Sequence, residues 1–299
     1  MAQQYSHIVL GLGATGLSVV RYLCDQGITP LVMDSREQPP GADKLAAVFP
    51  EVELMTGGFD CRYLVQAQQI VISPGISIET PEVRAAFDMG IEVIGDVELF
   101  ARELANSSAA VIGITGSNGK STVTTLVGEM AAAADLSYAV GGNIGIPVLD
   151  LLLDPKELYV LELSSFQLET THSLKCIAAT CLNISEDHMD RYSDLESYRQ
   201  AKLSLYEQSK SILFNREDPL TLPNSPMNQN SFGLDVPKVD AWGIAEGQIV
   251  QGSSVIMPIS EVALVGSHNH ANLIAAMALA TSADIAKEYL IEVAKRFKG

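Results

Sequence analysis

The stretch 109–129, AAVIGITGSNGKSTVTTLVGE, narrows the choice of fold more than any other part of the chain. A β-branched apolar run (Val111, Ile112, Ile114) breaks into Thr115-Gly116-Ser117-Asn118-Gly119-Lys120-Ser121-Thr122. Apolar residues then recur at helical spacing through Val123, Leu126, Val127 and Met130. Strand, glycine loop, Lys-Ser, helix is the layout of a phosphate cradle. Glycines let backbone N–H groups close on phosphate oxygens, and the helix start adds partial positive charge. In such a loop Lys120 reaches the β- and γ-phosphates, and the Ser121 hydroxyl ligates Mg²⁺. The position five before Gly119 is Ile114 rather than glycine, so the match to the general pattern is incomplete. A plain glycine-rich turn competes with this reading, but Gly-Lys-Ser-Thr in this setting favours a nucleoside triphosphate.

A chain of 299 residues can build two domains, each with its own core. No apolar run approaches the ~20 residues that cross a bilayer. The start, MAQQYSHIVLGLG, lacks a basic region and a cleavage pattern, which argues against a signal peptide. Cys24, Cys61, Cys176 and Cys181 form no C-x-x-C pair, as expected of a reduced, cytoplasmic protein without zinc. A formal charge of −17 argues against nucleic acid as partner. The triphosphate must then be held by local forces: helix N-termini, Lys120 and divalent metal.

The fold class expected is α/β, a Rossmann-like open sheet followed by a P-loop-type ATPase domain with a small β extension. Residues 7–10 read as a buried strand before Gly11-Leu12-Gly13-Ala14-Thr15-Gly16, and a helix follows (Leu17, Val20, Leu23). A second strand, 31–33, ends at Asp34, about twenty residues beyond the glycines, as in dinucleotide folds. Taken alone this says NAD, yet what G-x-G-x-x-G specifies physically is a diphosphate against a helix start. Strands at 69–72 and 91–94 flank a helix at 81–89; residues 96–105 form a connecting helix, and the domain boundary falls near residue 97 (1–97 and 98–299). In the second domain strands are expected at 138–140, 158–163, 178–184 and 211–214. Loop is expected over 217–237, hairpin strands over 242–257, and helices over 269–281 and 282–297.

Glu162 ends a buried strand, where an unpaired carboxylate is costly; it either holds Mg²⁺ or caps the following helix through Ser164 and Ser165. His188 lies in the acid-rich stretch 183–191 and suits metal or substrate as well as a structural role. Lys202 reads as an ordinary solvated helix lysine. Asn143, in a glycine turn, either supplies a left-handed backbone or turns its amide to a phosphate or carboxylate. Asn269 and Asn272 are helix N-cap candidates.

Four ordered stretches (115–121, 141–145, 162–169 and 183–191) together resemble the Mur ligases of peptidoglycan synthesis; folylpolyglutamate synthases share parts of the pattern. Ser164-Ser165-Phe166-Gln167-Leu168-Glu169, with the first glycine loop and Asp34-Ser35-Arg36, is similar to the members that add D-glutamate. The resemblance implies ATP-dependent ligation of D-glutamate to UDP-N-acetylmuramoyl-L-alanine through an acyl phosphate. It implies that Gly116, Ser117, Asn118, Gly119, Lys120, Ser121 and Thr122 hold the ATP phosphates, with Asn269 and Asn272 near adenine. Ser121 and Glu162 would serve one Mg²⁺, and Glu162, His188 and Lys202, as a carbamate, a second. That implication displaces the solvated reading of Lys202. Ala14 and Thr15 would meet the UDP diphosphate, Asp34, Ser35 and Arg36 the uridine, with Gly75 in the same pocket; Asn143, Ser164 and His188 would serve the sugar substrate. The catalytic set would be Lys120, Glu162, His188 and Lys202.

The family carries a third, D-glutamate-placing domain that this sequence is expected to lack, so it would bind the UDP-sugar, bind ATP weakly and form little product. A monomer without membrane attachment is expected. An NAD-dependent oxidoreductase, resting on the first glycine loop alone, and a non-catalytic nucleotide-binding module are the alternatives.

Overall fold

The structure, a computed structural model, describes residues 5–224 and 228–299. Strands and helices alternate through the first unit: β1 His7–Leu10, α1 Ala14–Asp25, β2 Leu31–Asp34, α2 Ala42–Val48, β3 Leu54–Thr56, α3 Cys61–Leu64, β4 Gln69–Ile72, α4 Pro81–Asp88 and β5 Glu92–Ile94. The strands form one parallel sheet in the order β3-β2-β1-β4-β5. Ile8 pairs with Leu31 on one side and Ile70 on the other, and the apolar runs are buried because helices cover both faces. The order reverses at β1, so the loops after β1 and β4 diverge and leave a crevice between them. Short β3 and α2 escape sequence reading, since three to seven residues show too little periodicity.

Helix α5 (Asp96–Glu103) leads to the second unit. There follow β6 Ala110–Thr115, α6 Lys120–Ala133, β7 Tyr138–Gly142, β8 Leu158–Glu162, α7 Ser165–Leu168, β9 Ala178–Cys181, α8 Leu195–Glu207, β10 Ile212–Asn215, β11 Gln229–Phe232, β12 Trp242–Ala245, β13 Gln248–Gln251, β14 Ser254–Pro258, α9 Ser267–Thr281 and α10 Lys287–Arg296. Nine strands lie in the order β14-β13-β12-β11-β10-β9-β6-β8-β7, antiparallel only over the β12–β14 extension. β6 sits inside this sheet between β8 and β9, which aims its C-terminal loop at a second crevice. The segment expected to be loop over 217–237 contains β11: polar Gln229 and Asn230 hide the strand, which Ser231 and Phe232 bury at its end. Residues 225–227 of that segment, and 1–4 of the N-terminal stretch, lie outside the described residues. The last helix is shorter than expected, since residues 282–286 form the connection before it.

A single apolar cluster joins the units, taking Val9 and Val20 from one and Phe100, Val111, Tyr159 and Leu161 from α5 and the second sheet. Phe100 meets Tyr159 edge-on at 5.2 Å between ring centroids. Buried Glu98 accepts from the N–H groups of His172 (2.7 Å) and Ser173 (3.0 Å), and Ser18 donates to Asp150 at 2.6 Å. The two units that carry the crevices are therefore tied to one continuous core.

Candidate active site

The loop after β6 needs its glycines: Gly116 has φ +144° and Gly119 φ +83°. It is clamped to the end of β9. Ser117 N–H donates to the Asn183 carbonyl (2.9 Å), Asn118 N–H to Asn183 Oδ1 (2.8 Å), and Asn183 Nδ2 returns to the Asn118 carbonyl (3.0 Å). Lys120 Nζ donates to the carbonyls of Gly116 (2.9 Å) and Ser117 (3.1 Å), arching over the loop; Ser121 and Thr122 follow in the first turn of α6. From α9, Asn272 comes so close that a Cβ on Gly119 would lie 2.6 Å from its Oδ1. Asn118, Gly119, Asn183, Phe232, His268 and Asn272 line a cleft of about 510 Å³ beside the loop. The N-cap of α9 is Gly266, not either asparagine: Asn269 and Asn272 lie within the helix, and Asn269 donates to the Val265 carbonyl at 2.9 Å.

At the end of β8, Glu162 is 1 % exposed and accepts from the Ser121 hydroxyl (2.8 Å) and from Asn143 Nδ2 (3.1 Å). Asn143 does not adopt a positive φ, so of its two readings the carboxylate contact holds. Glu162 caps no helix. Ser164 does: its Oγ accepts from Gln167 N–H (3.2 Å) while Gln167 Oε1 accepts from Ser164 N–H (3.1 Å), a capping box that starts α7. A hydroxyl and a carboxylate converging at a strand end are the oxygen donors a small hard dication takes. Among the described residues no group of three or more His, Cys, Asp or Glu gathers as a metal cluster, at this site or at any other.

In the first unit, a Cβ on Gly16 would fall 1.9 Å from the Gly11 carbonyl oxygen, so α1 can start here only on glycine. Asp34, at the end of β2, accepts from Leu12 N–H (2.7 Å) and from the Arg36 guanidinium (2.6 and 2.8 Å). The Arg36 side chain is the chief cause that holds its carboxyl down at about 2, against the cost of burial. Ala14, Thr15, Asp34, Ser35, Arg36 and Gly75 line one cleft of about 460 Å³. Its far wall comes from the second unit, as Gly142, Asn143 and Gln167.

The N-terminal domain of MurD-like Mur ligases matches residues 5–95, and the Mur ligase middle domain matches residues 114–280. The chain belongs to the Mur ligase family. It is 77 % identical over 294 residues to the UDP-N-acetylmuramoylalanine–D-glutamate ligase of Shewanella violacea, covering 98 % of this chain and 66 % of that protein. It is 70 % identical to the ligase of the same name from Shewanella oneidensis, covering 100 % of this chain and 68 % of the relative. The chain thus spans about two thirds of the length of the curated relatives it matches. A solved UDP-N-acetylmuramate:L-alanyl-γ-D-glutamyl-meso-diaminopimelate ligase from Neisseria superposes with a TM-score of 0.64 at 18 % identity, covering 99 % of both chains. UDP-N-acetylmuramate-alanine ligase from Thermotoga maritima gives 0.59 at 17 %, covering 98 % of this chain and 69 % of that one. These two likenesses concern the fold.

In this Mur ligase chain Lys202 is not solvated but 2 % exposed, because the apolar face of α8 (Tyr198, Leu205, Tyr206) carries it inward. Its Nζ donates to the Gly116 carbonyl at 3.1 Å and lies 4.5 Å from the Tyr198 ring centroid. Burial is the largest cause that pulls its amine down to about 8, and Lys120 adds to it. His188, at φ +56°, packs 4.8 Å from Phe166 and 6.4 Å from Tyr198 between centroids, with Asp187 3.5 Å from Nε2. The structure thus joins Ser121, Glu162 and Asn143 directly, gathers Lys120 and Lys202 on the Gly116 carbonyl, and sets His188 beside the same Tyr198 ring as Lys202. Two contributors escape the sequence reading: Asn183, which anchors the phosphate loop, and Gln167, which lines the first cleft. The strand-end position of Asn183 was the available signal; Gln167 offered only its place in a capping box. No helix among the described residues is long and apolar enough to cross a membrane.

Proposed function

We propose that the first cleft holds UDP-N-acetylmuramoyl-L-alanine and the second holds ATP with Mg²⁺. In proteins of the relatives' length, the pair would then join the sugar's carboxylate to D-glutamate through an acyl phosphate. One observation carries this reading: Glu162 is shared, with Oε1 on Asn143 of the sugar cleft and Oε2 on Ser121 of the phosphate loop. A single carboxylate therefore marks where the two ligands would meet. The names of the relatives support the choice of substrates.

Uridine would sit beside Asp34, Ser35 and Arg36, the diphosphate at Ala14 and Thr15 near Gly75, and the sugar acid along Asn143, Ser164 and His188. Gly116 to Thr122 would take the ATP phosphates, with Asn269 and Asn272 toward adenine. A carboxylate is a poor electrophile until one oxygen becomes a phosphate leaving group, and bringing it to a triphosphate sets anion against anion. Lys120 and the start of α6 offset that repulsion where charge builds up. Ser121 and Glu162 have the donor chemistry to hold a Mg²⁺ ion, which when bound screens the phosphate charge. The lowered Lys202 amine suits uptake of CO₂ with loss of a proton; the resulting carbamate, with Glu162 and His188, would be the oxygen-rich set for a second ion.

The dinucleotide alternative fares worse, because both oxygens of Asp34 already accept bonds from Leu12 and Arg36 and have little left for a ribose hydroxyl. Titration calorimetry with UDP, ATP and NAD separates the readings. Tight binding of UDP, weak binding of Mg·ATP and none of NAD is expected; NAD binding with no response to UDP would reject the assignment of the first cleft.

A further inference from the structure

Asp96 opens α5 at the exit from the first sheet and is 2 % exposed, yet neither carboxylate oxygen reaches a donor at hydrogen-bond geometry. The donors beside it are the N–H groups of Val97 and of Asp96 itself and the side chain of Gln167. An unsatisfied buried carboxylate is costly, so a folded chain that keeps one has a use for it or a partner that completes it. Gln167 supplies the link. It is 2 % exposed, its Oε1 is taken by the N–H (3.1 Å) and hydroxyl (3.2 Å) of Ser164, and it lines the first cleft at the end formed by Gly142 and Asn143. With Oε1 committed to Ser164, the NH₂ end of the amide is what remains for Asp96 and for the cleft. Packing barely distinguishes the two ends of an amide; an acceptor-only group on one side does.

We propose that Asp96 is a positioning residue for the sugar acid. Its carboxylate holds the Gln167 amide with one N–H turned back to itself and the other presented to the ligand in the first cleft. The neighbourhood is suited to such a task. Gly95 N–H reaches the Thr170 carbonyl (3.4 Å), and Glu98, two residues on, grips His172 and Ser173, so Asp96 and Gln167 are held by the same junction. Burial pushes the Asp96 carboxyl up to about 6, which leaves it an anion and an acceptor at pH 7.5.

The inference rests on the assignment of a UDP-sugar to this cleft, and the test separates the two. UDP and UDP-N-acetylmuramoyl-L-alanine are titrated into the chain and its Asp96→Ala, Asp96→Asn and Gln167→Ala variants, with thermal unfolding recorded for each. UDP, bound at the far end, should keep its affinity in every variant. Asp96→Ala should weaken the sugar ligand about tenfold, the size of one well-placed hydrogen bond. Asp96→Asn, which keeps an acceptor and the same shape, should restore most of that. Asp96→Ala added to Gln167→Ala should cost nothing more, because the first residue acts only through the second. Equal weakening of UDP and sugar ligand would mean a merely structural role and overturn the proposal, as would unchanged sugar affinity in Asp96→Ala or additive losses in the double variant. A parent chain that binds neither compound removes the cleft assignment and this inference with it.

Discussion

The chain builds strand, glycine loop and helix twice, and the two copies differ in what surrounds the glycines. The loop after β1 contains no cation. Its neighbouring strand ends in Asp34, which is already neutralised by Arg36. It can cradle a diphosphate but has nothing with which to move charge. The loop after β6 carries Lys120 and Ser121, gives its Gly116 carbonyl to a second lysine that is buried, and faces a carboxylate on the adjacent strand. The same backbone device thus serves as a fixed grip in one unit and as a place for reaction in the other, and the side chains at the ends of the neighbouring strands make the difference.

Four experiments break or sharpen that contrast. The largest effect is expected for Gly16→Ala, whose methyl would strike the Gly11 carbonyl. A loss of ~3 kcal/mol or more in urea unfolding, with UDP binding abolished, should follow, since nothing flexible can move aside. Gly13→Ala, with open space around its Cβ, should stay within ~0.5 kcal/mol of the parent. If the two variants unfold alike, the packing account of this loop is wrong. Lys120→Ala should next weaken Mg·ATP about 100-fold by calorimetry while leaving UDP untouched, because only the second loop relies on a side-chain cation. Equal loss of both ligands would erase the distinction between the loops.

Glu162→Gln should reduce the Mg²⁺-dependence of ATP binding and weaken the nucleotide by roughly tenfold, without lowering thermal stability. An unaltered response to Mg²⁺ would remove Glu162 from the metal site. The smallest effect concerns Asp34. Its folded carboxyl sits at about 2, below the unfolded value, so its contribution to stability is present above pH ~4 and fades as pH falls toward 2. Asp34→Asn should therefore melt below the parent at pH 6, and the gap should close by pH 2. A constant gap across that range would show that the Arg36 pairing does not set the acid response.

Much of this was legible without coordinates, for local reasons. β6, its glycines and the apolar period of α6 lie within some twenty consecutive residues, and the first glycine loop is as compact. Lys202 shows where such reading stops. Beside Gln200 and Ala201 it looks like any solvated lysine, and only the docking of α8 under Gly116 buries it. Asn269 and Asn272 look like caps in the linear pattern, whereas the packing of α9 against the loop turns Asn272 to Gly119. β11 was hidden because its first two side chains are polar.

By itself the sequence determined the two α/β units, both phosphate-binding turns and the residue types able to ligate metal, because each depends on contacts between near neighbours in the chain. Tertiary structure alone decided that Glu162 joins Asn143 to Ser121, that Lys202 is buried, and that Asp96 stands behind Gln167. Those pairings bring together groups from separate strands and helices, and only the closing of one apolar core across both sheets sets the distances between them.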